Sequence, residues 1–303
     1  MNNAHSPSHT ASLPPLALIA GPTASGKSDL AVALALALEK QGRRAVIINA
    51  DSAQVYADLQ VLSARPSAAE MRGIDHRLFG TWDGAVACSA ADWAGQAREA
   101  IAEAQGAGKV PILVGGTGLY IRTLLEGIAP IPQIDPSVRE RVRAMTTAHA
   151  YLALSREDPV RAAALAPMDS ARIARSLEVV RSTGQTLAAW QASKTGGIGH
   201  AVALHPLLLL PPREALYARC DQRFARMLAG GAIAETEALL ARNLDSALPA
   251  MRAIGVAEIA AHLRGECSLD EARAHGSQAT RNYAKRQYTW FRRQPPDMVF
   301  SVT

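Results

Sequence analysis

The run Gly21, Pro22, Thr23, Ala24, Ser25, Gly26, Lys27, Ser28 matches the pattern G-x-x-x-x-G-K-[ST]. A loop of this composition turns its backbone N–H groups, and the start of the helix behind it, toward an anion. Lys27 adds a point charge for phosphate, and Ser28 adds a hydroxyl oxygen suited to Mg2+. The chemistry implied is capture of a phosphate chain. The motif alone does not say what becomes of that chain. Its surroundings have the order the motif needs. Residues 16–20 (LALIA) are an apolar run, and an Ala/Leu-rich helix is expected from Lys27 to about Lys40.

Two further loops could do chemistry. Residues 45–50 (AVIINA) read as a buried strand that ends in Asp51. Residues 110–114 (VPILV) read as another, ending in Gly115, Gly116, Thr117 and Gly118. Enzymes that move phosphoryl groups on this kind of loop carry an acid at a strand end to hold Mg2+. Here that strand ends in glycines and a threonine. Asp51 is therefore the acid best placed among the three loops. It could hold a metal through water, act as a general base, or simply cap a helix.

These loops need a scaffold that brings strand ends together. A helix is expected around residues 89–105, between the second and third strands. Short apolar strands alternating with helices imply βαβ units and a parallel sheet, which binds ligands beyond the carboxyl ends of its strands. The expected class is α/β: a P-loop NTPase-like parallel sheet flanked by helices, with an all-helical insert. The expected divisions are a disordered tail over 1–15, a catalytic core over 16–130 and the insert over 131–198. Residues 199–303 return to the core with a strand at 203–210 (ALHPLLLL), a helix opened by PPRE, and further helix to about Arg293.

Bulk composition sets limits. The chain has 303 residues, and 49% are apolar, enough for a sizeable core, while aromatics are only 5%. The formal charge of +5 is a mild bias toward a polyanionic partner. Cys88, Cys220 and Cys267 form no CxxC pair, so neither a zinc site nor a disulfide framework is indicated. His76, His200, His205 and His275 have no metal-ligand spacing and read as structural or surface residues. Residues 1–15 lack the features of a signal peptide. No apolar run approaches the length of a membrane span. A cytoplasmic protein with no membrane association is expected.

GPTASGKS, then DSAQVY at 51–56, then GGTGLY at 115–120, resemble in order and spacing the tRNA dimethylallyltransferase family, bacterial type. ARPS (64–67), DHRL (75–78, where the family has a histidine-bearing turn), SAADW (89–93), DSARIARSLEV (169–179), LYARCDQRF (216–224) and KRQYTWFRR (285–293) extend the resemblance over residues 16–293. The resemblance implies transfer of a dimethylallyl group from dimethylallyl diphosphate to N6 of adenosine 37, next to the anticodon, in tRNAs reading codons that start with U. By that resemblance Asp51 is the base, Thr117 stands where base and diphosphate meet, and Arg223 holds the diphosphate. Residues Gly21 to Ser28 cradle the diphosphate, and Ser28 serves Mg2+.

The same resemblance assigns tRNA contacts to Asp51, Ser52, Ala53, Gln54 and Thr117. It adds Arg139, Ala171, Arg172, Ile173, Ala174 and Arg175 in the insert, which it sets against the anticodon stem-loop. Arg252 and Gly255 belong to the segment RAIGVA, where Val256 and Ala257 depart from the family's tyrosine and basic residue. In the terminal basic run, Lys285, Arg286 and Arg292 are expected to meet RNA phosphates, while Tyr283, Tyr288, Trp290 and Phe291 mainly pack. The implied partners are tRNA and dimethylallyl diphosphate, the cofactor is Mg2+, and a monomer is expected. The alternatives are a P-loop small-molecule kinase, a free-nucleotide isopentenyltransferase, or a non-catalytic RNA-binding protein.

Overall fold

The apolar runs become strands because they are buried on both faces. In a computed structural model, which describes residues 13–296 and 300–302, β1 spans Pro15–Ala20 and is followed by α1 (Lys27–Lys40). Then come β2 (Ala45–Asn49), the short α2 (Ala68–Met71) and β3 (Asp75–Arg77). Helix α3 (Ala90–Gly106), β4 (Val110–Gly115) and α4 (Gly118–Glu126) complete the first half. All residues of β2 and β4 are buried, as expected of central parallel strands covered on both sides.

The sheet has the order β3-β2-β4-β1-β5-β6, where β5 is Ala203–Leu209 and β6 is Phe300–Val302. Every pairing is parallel. Ala20 of β1 lies opposite Gly115 of β4, and Asn49 of β2 opposite Val114. The three chemistry-bearing loops therefore leave the sheet at one edge. The chain runs from β1 past β4 to β2, and β5 joins on β1's other side. The reversal of strand order falls at β1, where such sheets form their crevice.

On one face of the sheet, α1 packs Ala31, Val32 and Ala35 over Ile19, Ile47 and Ile112. On the other, Trp93, Ala97 and Ile101 of α3 cover Leu18, Val46 and Leu113. Ser89 caps α3 in a reciprocal capping box with Asp92. After β5 come α10 (Arg213–Ala229), α11 (Ala232–Ala241), α12 (Val256–Leu263) and α13 (Leu269–Arg293). Leu216, Cys220 and Phe224 are buried at helical spacing on α10. On α13 the residues Ala284, Gln287 and Phe291 point inward.

Residues 126–197 form a separate compact unit. It contains α5 (Pro136–Arg143), α6 (Thr147–Glu157), α7 (Pro159–Ala164), α8 (Ser170–Thr183) and α9 (Leu187–Gln191). Its own core holds Val138, Val142, Leu154, Ile173 and Leu177. Its start lies earlier than the sequence suggested, because Ile128 and Thr195 exchange two backbone hydrogen bonds of 3.0 Å.

Two further expectations differ from the structure, and one strand has no counterpart among them. The tail was drawn to residue 15, but Pro15 already pairs with Ala203 in the sheet; residues 1–12 lie outside the described residues. DHRL lies where the resemblance implies a histidine-bearing turn, yet residues 75–77 are an edge strand against β2. Its polar composition hid it, since Asp75 is paired at the surface with Arg77 and Lys109. Strand β6, beyond the last helix, was not foreseen.

Candidate active site

The loop after β2 is held in shape by the residue that ends the strand. Asn49 is fully buried, accepts the Asp51 amide at 2.8 Å, and donates to the carbonyls of Asp51 and Leu78. Trp93 donates its indole N–H to the Asn49 carbonyl at 2.9 Å and stacks on Tyr120. The Asp51 carboxylate accepts the Ala53 amide at 3.0 Å. Thr117 joins this loop to the one after β4: its Oγ1 accepts the Ser52 amide at 2.9 Å and donates to Ser52 Oγ at 3.2 Å. Gly115 permits the approach, since a Cβ there would stand 2.2 Å from the Ala50 backbone.

The loop from Gly21 to Gly26 leads from β1 directly into α1. Ala24 adopts a left-handed conformation with φ of 61°, the kind of local strain that clusters at binding loops. Lys27 is buried and its Nζ donates to the Pro22 carbonyl at 3.2 Å. Burial lowers the Lys27 ammonium to about 8; the Asp51 carboxylate opposes that shift and the Arg223 guanidinium adds to it. Ser25 is buried with no hydrogen-bond partner for its hydroxyl. Ser28, by contrast, is exposed at the helix start.

Two cavities open along this edge of the sheet. One, of about 280 Å³, is lined by Asp51, Ser52, Ala53, Arg252, Tyr283 and Arg286, among others. The second, of about 610 Å³, is lined by Gly26, Lys27, Ser28, Arg219 and Arg226, with an apolar wall that includes Val32 and Phe79. Arg223 and Met227, one turn apart on α10, line both. The Arg223 guanidinium donates to the Ser63 carbonyl at 3.3 Å. Burial lowers the Arg223 pKa, and the Asp51 carboxylate opposes that shift. The second cavity thus sets Lys27, Arg219, Arg223 and Arg226 beside Asp29 and Glu70, and the first sets Asp51 among hydroxyls and Arg223, Arg252 and Arg286.

Ser28 and Asp29 present oxygen donors to the second cavity beside Lys27. That is a fitting environment for Mg2+, which takes few protein ligands and completes its shell with water and substrate phosphate. Glu70 lines the same cavity, but its carboxylate is engaged in a capping box with Ser67. Among the described residues no group of three His, Cys, Asp or Glu side chains could hold a metal.

Several expected contacts fall elsewhere. Gln54 is buried and donates to the carbonyls of Ser63 and Ala64, so it supports the cavity wall and lines neither cavity. Gly255 is buried, with φ of 100°, where a Cβ would stand 2.5 Å from Leu62. It is a packing position and not an exposed RNA contact. Ile173 is likewise in the core of the helical unit, because α8 turns that face inward. Ala171 and Arg172 on α8 are exposed and Ala174 is half-buried. Arg143, Arg139 and Arg175 gather around buried Glu178 at 3.0, 4.0 and 3.9 Å, and Arg172 pairs with Asp169. Lys285 and Arg292 on α13 are exposed.

The terminal aromatics divide. Phe291 is buried and Trp290 packs against the core. Tyr288 lies under the Arg213 guanidinium, whereas Tyr283 lines the first cavity under Arg286. Burial raises the Tyr283 pKa, the Asp51 carboxylate adds to that shift, and the Thr117 and Ser52 side chains oppose it. His76, read as structural, stands on the wall of the second cavity beside Phe79. Burial lowers its pKa. Gln287, unremarked in the sequence, clamps Thr23 to Gly116. Its signal was a neutral amide inside a basic run.

A family model described as IPP transferase matches residues 54–294, and one described as Isopentenyl transferase matches residues 14–87. The chain is 69% identical to a tRNA dimethylallyltransferase of Erythrobacter litoralis over 283 residues, covering 93% of this chain and 89% of that one. Among solved structures, a tRNA isopentenylpyrophosphate transferase of Bacillus halodurans is 31% identical with a TM-score of 0.66, over 95% of this chain and 89% of that one. A eukaryotic dimethylallyltransferase acting on tRNA is 26% identical with a TM-score of 0.79, over 92% and 70%.

Proposed function

The chain belongs to the IPP transferase family, and from that premise we propose that it transfers a dimethylallyl group from dimethylallyl diphosphate to N6 of adenosine 37, beside the anticodon in tRNAs reading codons that start with U. The observation that carries this reading is Arg223 at the junction of the two cavities, with Lys27 in one and Asp51 in the other. A kinase would need to place phosphate beside its acceptor. Here the anion nest and the carboxylate lie in adjoining chambers, which suits a donor whose phosphate end stays behind while its carbon end reacts.

In the reaction a bond forms from N6 to C1 of the donor, the C1–O bond breaks, and diphosphate leaves. N6 of adenine is a weak nucleophile, so its proton passes to the Asp51 carboxylate. Asp51 is held for that task by Asn49 and the Ala53 amide. Lys27, Arg223 and the loop amides stabilise charge growing on the diphosphate, in a partly buried setting where such contacts are strongest. Ser28 and Asp29 would hold Mg2+, which supplies further neutralisation of the diphosphate when bound. Thr117, tied to Ser52, orders the meeting point of the two chambers.

A target adenine must leave its stack to enter the first cavity. RNA loops are gripped through splayed bases, stacking and phosphates. Arg252 and Arg286 at that cavity, exposed Lys285 and Arg292, and the arginines of residues 126–197 support an RNA acceptor over a free nucleotide. We take a monomer as the working unit. No helix of the described residues is long and apolar enough to cross a membrane, and a cytoplasmic site of action accords with a tRNA substrate.

The test is direct. Purified protein, dimethylallyl diphosphate and an anticodon stem-loop with or without adenosine 37 are incubated with Mg2+, and the nucleosides are read by mass spectrometry. Transfer only to the adenosine-bearing loop is expected. Transfer to free AMP but not to the loop would make the protein a free-nucleotide enzyme.

A further inference from the structure

Residues 57–66 contain neither helix nor strand, yet they wall both cavities. Val61 and Ala64 face the second, and Leu62 and Ser63 the first. A segment without regular structure must find partners for its amide groups elsewhere. Three consecutive amides of this loop find the same one. The Glu235 carboxylate accepts the N–H of Gln60 and of Val61 on Oε2, each at 2.7 Å, and that of Leu62 on Oε1 at 2.9 Å. Both carboxylate oxygens are occupied by charge-assisted bonds, which are shorter and stronger than neutral ones.

The consequence appears one residue further on. The Ser63 carbonyl accepts the Arg223 guanidinium at 3.3 Å and the Gln54 amide at 3.1 Å. Arg223 therefore takes one of its bearings from a loop whose path Glu235 sets. Glu235 lines neither cavity. It is carried on the first turn of α11, which is anchored by buried Ala232, Thr236 and Leu239. A rigid helix, a carboxylate, a nest of three amides and a carbonyl thus run in series to the guanidinium at the junction.

We propose that Glu235 is a positioning residue for Arg223, and through it for the diphosphate leaving group. The proposal rests on the transferase reading for the identity of that ligand. Glu235 touches no substrate. It holds the 60–63 loop so that the Ser63 carbonyl orients Arg223 toward the phosphate end of the donor.

The experiment is a double-mutant cycle between Glu235→Gln and Arg223→Ala, measured on the full chain. Glutamine keeps the shape but replaces one accepting oxygen by an NH2 that cannot accept. Alone it is expected to lower kcat/KM for dimethylallyl diphosphate about tenfold, with stem-loop Kd within about twofold, the range in which neighbouring residues couple. In the Arg223→Ala background the same change should cost less than about twofold, since the residue it positions is gone. Equal losses in both backgrounds would overturn the proposal and make Glu235 merely structural. Glu235→Asp keeps the charge but cannot span all three amides, so it should fall between; wild-type behaviour of Glu235→Asp and Glu235→Gln alike also overturns it. Kd for inorganic diphosphate, read by calorimetry across the same four proteins, needs no acceptor. Coupling there with no transfer to the stem-loop would sink the function and leave the positioning role standing.

Discussion

Gln287 accepts the Thr23 amide at 2.8 Å and, from the other end of its side chain, donates to the Gly116 carbonyl at 2.9 Å. One buried side chain on the last long helix thus locks the phosphate loop to the loop that carries Thr117. Glutamine suits the place because its amide offers a donor and an acceptor at a fixed separation. Glutamate could not donate, and leucine could do neither.

Gln287→Leu should therefore leave the Thr23 N–H and the Gly116 carbonyl without partners. Each such group costs about 1–3 kcal/mol when buried. A clear drop in the urea midpoint with unchanged m-value is expected, together with weaker donor binding. An unchanged midpoint with unchanged donor KM would show that the two loops hold their spacing without the clamp.

Asp51→Ala should lower kcat by roughly 10²- to 10⁴-fold, the span for loss of a general base. Kd for inorganic diphosphate should move far less, because Asp51 lines the other cavity. Single-turnover rates with pre-bound donor are the appropriate measurement. A rate within about threefold of wild type, well short of that span, would remove Asp51 from proton transfer.

Much of this site was legible in the residues. The phosphate loop, Asp51 and Thr117 announce themselves because short-range chemistry needs particular residue types at particular spacings. The strands that present them are visible as apolar runs because both faces are buried. Other parts depend on partners distant in the chain. Glu235 is an ordinary acid in a helix until its three amides, some 173 residues upstream, are known. Gln287 and Tyr283 lie in a run that reads as basic and aromatic, and only packing decides which of its faces meets the cavity. Ile173 and Gly255 were assigned to RNA by resemblance; burial puts both in packing roles. Strand β3 was missed because three polar residues at a sheet edge have no periodicity to betray them.

Lys27 makes a prediction about pH. Burial brings its ammonium from the ordinary 10.5 to about 8 in the folded protein. Diphosphate binding needs the cation, so donor KM should rise as pH climbs through about 8. Between about 8 and 10.5 the unfolded chain holds a proton that the folded chain has released, so this group's contribution to stability increases with pH. Below about 8 the folded state instead bears the full cost of a buried cation. Lys27→Met should consequently abolish donor binding while raising the melting temperature at neutral pH, the trade expected where binding sites hold destabilising groups. A lower melting temperature for Lys27→Met, or a pH-independent donor KM, would contradict this account.

The arginines of residues 126–197 yield the most demanding prediction. Arg139, Arg143 and Arg175 surround one buried carboxylate, Glu178, whose side chain is 3% exposed. Three cations against one anion leave a net positive cluster, and Arg172 stands on the same helix as Arg175, with its side chain 70% exposed. Arg175 can be removed without stranding Glu178, because Arg143 still pairs with it at 3.0 Å. Arg172→Ala combined with Arg175→Ala should then leave the unit folded and remove two cations from its surface. If these neutralise RNA phosphates, log K against log salt should flatten by about one unit or somewhat more, at roughly 0.7 per single-strand contact. KM for an anticodon stem-loop should rise about tenfold at low salt, while donor KM stays within about twofold. Steady-state kinetics at several salt concentrations measure all three quantities. An unaltered slope and an unaltered stem-loop KM would reduce these arginines to surface charge around Glu178, and the RNA-binding role would pass to Lys285, Arg286 and Arg292 on α13.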